Sequence, residues 1–267
     1  KNVYKLPSGC YFTWEQGGEI RVERYYEVTY RIDESKSLEE WEDLIAKTFT
    51  ESVQAHQIAD VEVGCFLSSG IDSSYVVKEV AQCTKDVKTF TVGYEEEKYS
   101  ELSYAQDFSK VVGVQNISNK ISADDYFEMA GKIQYYMDEP LPNPSEVPLY
   151  FLAQNAAKYV KVVLSGEGAD ELFGGYPMYL AGGHFQKYAR TPRQPGKAAA
   201  GIAKHLPDFK GKHFIIRGAM EPWQRFMRAN YNFTYEDRNE VLKKDYHAGD
   251  PTLYAKPLFD RMKGFDE

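Results

Sequence analysis

At 267 residues the chain is long enough for one large core, or for a domain with an appendage. Hydrophobic residues at 43%, charged residues at 27%, 21 Tyr and 15 Phe describe a globular protein with real cores. A net charge of −8 argues against a general nucleic-acid binder, and no window approaches the roughly eighteen apolar residues of a membrane helix.

Cys10, Cys65 and Cys83 are odd in number and form no Cys-x-x-Cys pair. Neither a disulfide framework nor a zinc site is read from them, which fits a reducing cytoplasm, and each is expected to pack in a strand or helix. The chain opens at Lys1 without a signal peptide, ends at Glu267, and is read as a piece of a longer protein.

In chain order, residues 1–30 read as short β: Gly9-Cys10-Tyr11-Phe12-Thr13-Trp14, a Gly17-Gly18 turn, then a second strand from Ile20 to Tyr30. A helix is predicted over 37–59, with Ser37 and Glu40 as a capping box and Leu38, Trp41, Leu44, Ile45 and Phe49 at helical spacing. Strands are then predicted at 61–67, 88–92, 115–118 and 160–164. They alternate with helices at 72–82, 100–112, 122–137 (Ser122 and Asp125 in capping positions) and 145–159. A Pro-rich connection at 138–144 precedes the last of these helices.

This alternation predicts an α/β fold, a parallel sheet with helices on both faces. Ligands of such sheets sit outside the carboxyl ends of the strands. Two turns rich in serine and glycine, after Leu67 and after Leu164, fall at that edge.

Residues 184–267 change character. They hold sixteen Lys and Arg against ten Asp and Glu, so this part is basic while residues 1–183 are acidic. The stretch 191–201 reads as loose, and 223–231 and 237–244 as helical. The cations here form either a solvated helical surface or a face toward a phosphate-bearing ligand.

The first turn is Ser68-Ser69-Gly70-Ile71-Asp72-Ser73-Ser74. Small residues allow backbone N–H groups to converge at a helix N-terminus, and the serines add hydroxyls, a pattern that suits pyrophosphate. Asp72 would repel that anion unless a divalent cation intervenes, and magnesium bound to carboxylate and phosphate oxygens resolves the conflict. A plain strand-to-helix turn with a serine cap is the competing reading. The turn is not a Walker loop, because the Gly-Lys pairs at Gly131, Gly196 and Gly211 are followed by Ile, Ala and His.

The second turn is Ser165-Gly166-Glu167-Gly168-Ala169-Asp170-Glu171-Leu172-Phe173-Gly174-Gly175-Tyr176. Three carboxylates within five residues at a strand end suggest a metal or a proton-transfer task, against the alternative of a solvated acidic loop.

Together these two stretches resemble the synthetase domain of glutamine-hydrolysing asparagine synthetases, in the ATP-pyrophosphatase (PP-loop) group. The resemblance is strong over residues 37–180, and the first 36 residues resemble the end of that family's glutaminase domain. It implies a synthetase core at 37–183 and an incomplete basic, helical extension at 184–267. ATP and Mg²⁺ are implied as cofactors. Aspartate and ammonia, with glutamine as the source in the full-length enzyme, are the implied substrates.

Further implications are a glutaminase domain upstream in cis, no nucleic-acid or membrane partner, and a cytoplasmic location, with a homodimer left open. By position, Ser68, Gly70, Asp72 and Ser73 would form the pyrophosphate loop. Phe66, Leu67 and Val92 would lie by the adenosine, and Ser165 and Gly166 would contact the nucleotide. Asp72 and Asp170 would share magnesium. Glu167 would accept a proton as ammonia attacks a β-aspartyl-adenylate.

Three departures accompany the resemblance. Ser69 stands where the usual pattern has glycine, which is costly if φ is positive there. The family's N-terminal nucleophilic cysteine is absent, so the fragment is expected to lack glutaminase activity, and the family's later helices lie beyond Glu267. Two other readings are a related carboxylate-adenylating enzyme of the β-lactam synthetase kind and a non-catalytic nucleotide-binding module.

Overall fold

The computed structural model describes residues 3–28, 32–137, 143–180, 193–228, 235–244, 247 and 249–261. They belong to two compact units, Lys1–Ser165 and Gly166–Glu267.

The first unit opens with a hairpin of β1 (Cys10–Thr13) and β2 (Arg21–Arg24), paired antiparallel with Cys10 opposite Arg24. Helix α1 (Leu38–His56) follows the predicted capping box. Ser37 Oγ accepts from Glu40 N at 3.2 Å, and a Glu40 carboxylate oxygen accepts from Ser37 N at 2.7 Å. Those bonds hold the Glu40 carboxyl below its usual range.

The alternating segment is β3 (Val63–Phe66), α2 (Ile71–Cys83), β4 (Lys88–Tyr94), α3 (Leu102–Val112), β5 (Gln115–Ile121), α4 (Ala123–Tyr136), α5 (Glu146–Ala156) and β6 (Val162–Leu164). Ser122 and Asp125 form a second capping box at the start of α4. Part of the predicted Pro-rich connection, 138–142, lies outside the described residues.

The four strands β5-β4-β3-β6 form one parallel sheet, as the alternation predicts. Their side chains divide between its two faces. Cys65 and Leu67 join Val53 of α1, Val76, Val77 and Val80 of α2 and Ala105 of α3 in one apolar cluster. Phe66 and Phe90 turn the other way, with Ile117, Val163 and, from α5, Leu152 and Ala156. Both faces are covered, which is why β3 reads as a nearly continuous apolar run, while β4 sets Thr89 and Thr91 between apolar neighbours.

β5 extends three residues beyond the predicted strand. It pairs with β4 from Lys88↔Gln115 to Tyr94↔Ile121, although Asn116, Ser118 and Asn119 interrupt any apolar run. At the sheet edge such polar residues are tolerated, and Asn116 turns its amide onto the hydroxyls of Thr89 and Thr91 at 3.0 and 2.9 Å.

The second unit contains α6 (Ala169–Phe173), α7 (Pro177–Leu180), α8 (Arg193–Lys204), α9 (Lys212–Gly218), α10 (Pro222–Arg228), α11 (Tyr235–Val241) and α12 (Lys256–Arg261). Residues 193–201, expected to be loose, are helical instead. Pro195 falls in the first turn, where its missing N–H costs no helical bond, and Ala200 and Ala203 are buried. The helices predicted at 223–231 and 237–244 correspond to α10 and α11, with residues 229–231 outside the described set. Some of the basic residues are paired within this unit: Lys212 with Asp208 at 3.3 Å and Lys256 with Asp260 at 2.5 Å.

The cysteines do not share one role. Cys65 is fully buried in β3, and burial pushes its thiol up to about 12. Cys83, expected to pack, is exposed at the last position of α2, where Sγ receives a weak bond from Gln54 Nε2 at 3.6 Å.

Candidate functional site

Cys65 of β3 lies opposite Leu164 of β6, so the chain leaves these neighbouring parallel strands at the same edge of the sheet. That is the edge where ligands of open α/β sheets bind.

The root of the first turn is rigidly placed. Leu67 is 2% exposed, its N–H donates to Phe90 O at 2.9 Å, and its carbonyl accepts from Thr91 Oγ1 at 2.8 Å. Thr91 is itself buried and receives the Asn116 amide, so a chain of bonds runs from β5 through β4 to the last carbonyl before the turn. Neither Thr91 nor Asn116 was marked by the sequence, since the bonds that join them span 24 and 25 residues. Phe66 is half-buried on the opposite face from Leu67, and Val92 is half-buried in β4.

Past Leu67 the turn closes on its own hydroxyls. Ser68 N donates to Ser73 Oγ at 3.1 Å, the Ser68 and Ser73 hydroxyls lie 2.9 Å apart, and Ser73 Oγ donates to Gly70 O at 3.2 Å. Gly70 N donates to Ser68 Oγ at 3.1 Å. The Ser68 and Gly70 amides are thus engaged from within the turn, by the hydroxyls of Ser73 and Ser68. Ser69 N donates instead to Glu101, with Oε2 at 3.4 Å.

Gly70 is the N-cap of the thirteen-residue α2 and supplies no side-chain cap, while half-buried Asp72 sits in the first helical turn. Among the described residues Asp86 alone, of the non-glycines, has positive φ, so Ser69 carries no left-handed strain. Serine is accepted there because the backbone never needs glycine.

The second turn is shaped by glycine and carboxylate. Ser165 ends the first unit; Gly166, exposed Glu167 and half-buried Asp170 open the second. Helix α6 is bracketed by Gly168 at φ 91° and Gly174 at φ 67°. Gly175 donates its N–H to Asp170 O at 3.0 Å, and a Cβ added at Gly175 would stand 2.0 Å from Asp170 Oδ1. The Asp170 carboxylate therefore lies against a position that only glycine can occupy without a shift. Tyr176 donates its hydroxyl to Glu171 at 2.8 Å, and that carboxylate pushes the Tyr176 hydroxyl up to about 12.

Among the described residues no three His, Cys, Asp or Glu side chains gather into a metal cage. Magnesium takes one or two carboxylates together with phosphate oxygens and water, and the two residues expected to hold it, Asp72 and Asp170, each offer a half-buried carboxylate in their own unit. No helix of the described residues is long and apolar enough to cross a membrane.

The family described as Asparagine synthase matches residues 44–255. Among curated proteins the chain is similar to Asparagine synthetase (glutamine-hydrolyzing) 1 of Bacillus subtilis, 35% identical over 246 residues. That match covers 91% of this chain and 38% of the relative. Asparagine synthetase B (glutamine-hydrolyzing) of Escherichia coli is 28% identical over 197 residues, covering 66% of this chain and 34% of the relative. The chain therefore spans well under half the length of these relatives. A solved NMN synthetase from Francisella tularensis is similar over 53% of this chain and 59% of its own, with 15% identity and a TM-score of 0.36.

Proposed function

The chain belongs to the asparagine synthase family, and from that premise we propose that it carries the ATP-dependent half of asparagine synthesis. Aspartate is activated at its β-carboxylate as the acyl-adenylate with release of pyrophosphate. Ammonia then displaces AMP to give asparagine. Glutamine serves as the ammonia source in the full-length protein, through a glutaminase domain upstream of residue 37.

The observation that carries this reading is the placing of the two turns. Each follows the carboxyl end of one of two neighbouring parallel strands, one bearing hydroxyls and amides and the other bearing carboxylates.

Each residue then has one task. Ser68, Gly70 and Ser73 offer hydroxyls and amides to the polyphosphate, exchanging their bonds to one another for bonds to its oxygens. Phe66, Leu67 and Val92 border the adenosine, where Leu67 contributes backbone because its side chain is in the core. Ser165 and Gly166 contact the nucleotide from the second turn. Asp72 and Asp170 would hold magnesium, which supplies positive charge to the departing pyrophosphate.

Glu167 receives the proton that ammonia loses. Attack of nitrogen on the carbonyl carbon creates a cationic adduct, and a carboxylate base drains it as the bond to AMP breaks.

Glu167→Ala in the full-length protein is expected to lower ammonia-dependent asparagine formation by about 10²–10⁴-fold while MgATP binding persists. Unchanged synthesis would remove Glu167 from the mechanism. Pyrophosphate release driven by a carboxyethyl-arginine-like acid, and not by aspartate, would overturn the substrate assignment.

A further inference from the structure

Building on the nucleotide-binding reading, we propose that Glu101 makes the first turn select metal-complexed polyphosphate and reject free anions. The turn already holds an anion, and that anion is the protein's own. Glu101 lies 32 positions beyond Ser69 and places a carboxylate oxygen 3.4 Å from the Ser69 N–H. The amides on either side are occupied by hydroxyls, Ser68 N by Ser73 and Gly70 N by Ser68. Ser69 N–H is thus the amide of this trio that meets full negative charge.

Packing places Glu101 there. It immediately precedes α3, whose Leu102 and Ala105 are buried. Its side chain makes no capping bond to the helix it begins. It crosses to the neighbouring turn instead.

Charge decides what this arrangement admits. Ser68 to Ser74 contains no lysine or arginine, and Asp72 adds a second carboxylate in the first turn of α2. A free phosphate, sulfate or pyrophosphate must displace Glu101 from the Ser69 amide and then sit beside two like charges. A polyphosphate whose charge is largely neutralised by magnesium meets much weaker repulsion. Inorganic anions are thereby kept out of a turn whose amides would otherwise attract them.

The test is calorimetric binding of inorganic pyrophosphate to the protein, once with excess EDTA and once with excess magnesium. Glu101→Gln keeps the shape and removes the charge. It is expected to tighten metal-free pyrophosphate about tenfold and the magnesium complex less than about threefold, as follows from removing one nearby like charge at partly screened range. Glu101→Ala is expected to show the same asymmetry. Glu97→Gln, the same charge change at an exposed residue nearby, is expected to leave the ratio unaltered.

Equal tightening with and without magnesium, or no change in metal-free binding, overturns the proposal. Weaker binding of the magnesium complex by Glu101→Gln overturns it as well, because Glu101 would then be helping to hold the cation. Failure of the unaltered protein to bind magnesium pyrophosphate or MgATP at all is a separate result, which brings down the nucleotide reading itself.

Discussion

The turns after β3 and β6 leave neighbouring strands and are built by opposite means. The first is held from beneath and from within. Leu67 is locked to Phe90 and Thr91, and four hydroxyl-mediated bonds join Ser68, Gly70 and Ser73 at the start of a thirteen-residue helix. The second is held by backbone conformations that belong to glycine, around a helix of five residues, with its carboxylates at the surface or half-buried. A turn that binds through hydroxyls and amides can be shaped by side chains that bond to one another. Carboxylates cannot bond to one another as hydroxyls do, since like charges repel, so the second turn relies on glycine backbone and on a donor from outside the carboxylate set, the Tyr176 hydroxyl on Glu171.

The largest expected effect breaks the second turn. At Gly175→Ala the new methyl meets the Asp170 carboxylate, and either that carboxylate or the backbone must move. Synthesis is expected to fall by about 10²-fold, the cost of displacing a site group by about 1 Å. Thermal stability should fall by only about 1–3 kcal/mol. Steady-state rates beside a melting curve separate the two, and an unchanged rate would show that the carboxylate's position does not matter.

Next in size is the root of the first turn. Thr91→Val removes the hydroxyl that donates to the Leu67 carbonyl and is expected to cost about 2 kcal/mol, the penalty of an unpaired buried polar group. For a unit of this size that is a fall in melting temperature of roughly 4–8 °C. Thr91→Ser, which keeps the hydroxyl, should recover most of it. Equal losses from both variants would mean that packing by the methyl, and not the bond, fixes the turn.

The smallest effect sharpens the contrast. Ser69→Gly is expected to change stability by less than about 1 kcal/mol, because Ser69 has no positive φ to relieve and glycine only adds unfolded-state entropy. Nucleotide affinity measured by titration should stay within about twofold. A gain in stability of more than about 1 kcal/mol would show that serine is strained there after all.

Much of this was legible in the residues. Ser37 with Glu40 and Ser122 with Asp125 announced two helices through capping boxes that the structure contains. The apolar runs around Cys65 and Val163, and the β-branched and aromatic run around Phe90, point to buried parallel strands. The polar edge strand reads shorter than it is, because Asn119 and Lys120 pair with β4 through the backbone and break any apolar pattern. The helix at 193–204 was missed because Pro and Gly read as breakers, although Pro195 falls in the one turn where proline is harmless. The packing role expected of Cys83 is denied by its exposed position at the end of α2.

The sequence by itself determined the order of the elements, the presence of two chemically distinct turns at strand ends, and the residue types each would offer. Those features are written in spacings of two to four residues, where backbone geometry alone brings groups together. Only the tertiary structure decided which amides of the first turn are already engaged, that Thr91 and Asn116 anchor its root, and that Glu101 reaches Ser69. The contacts made by Thr91, Asn116 and Glu101 join residues 24 to 32 positions apart, and no local pattern encodes the packing that makes them neighbours.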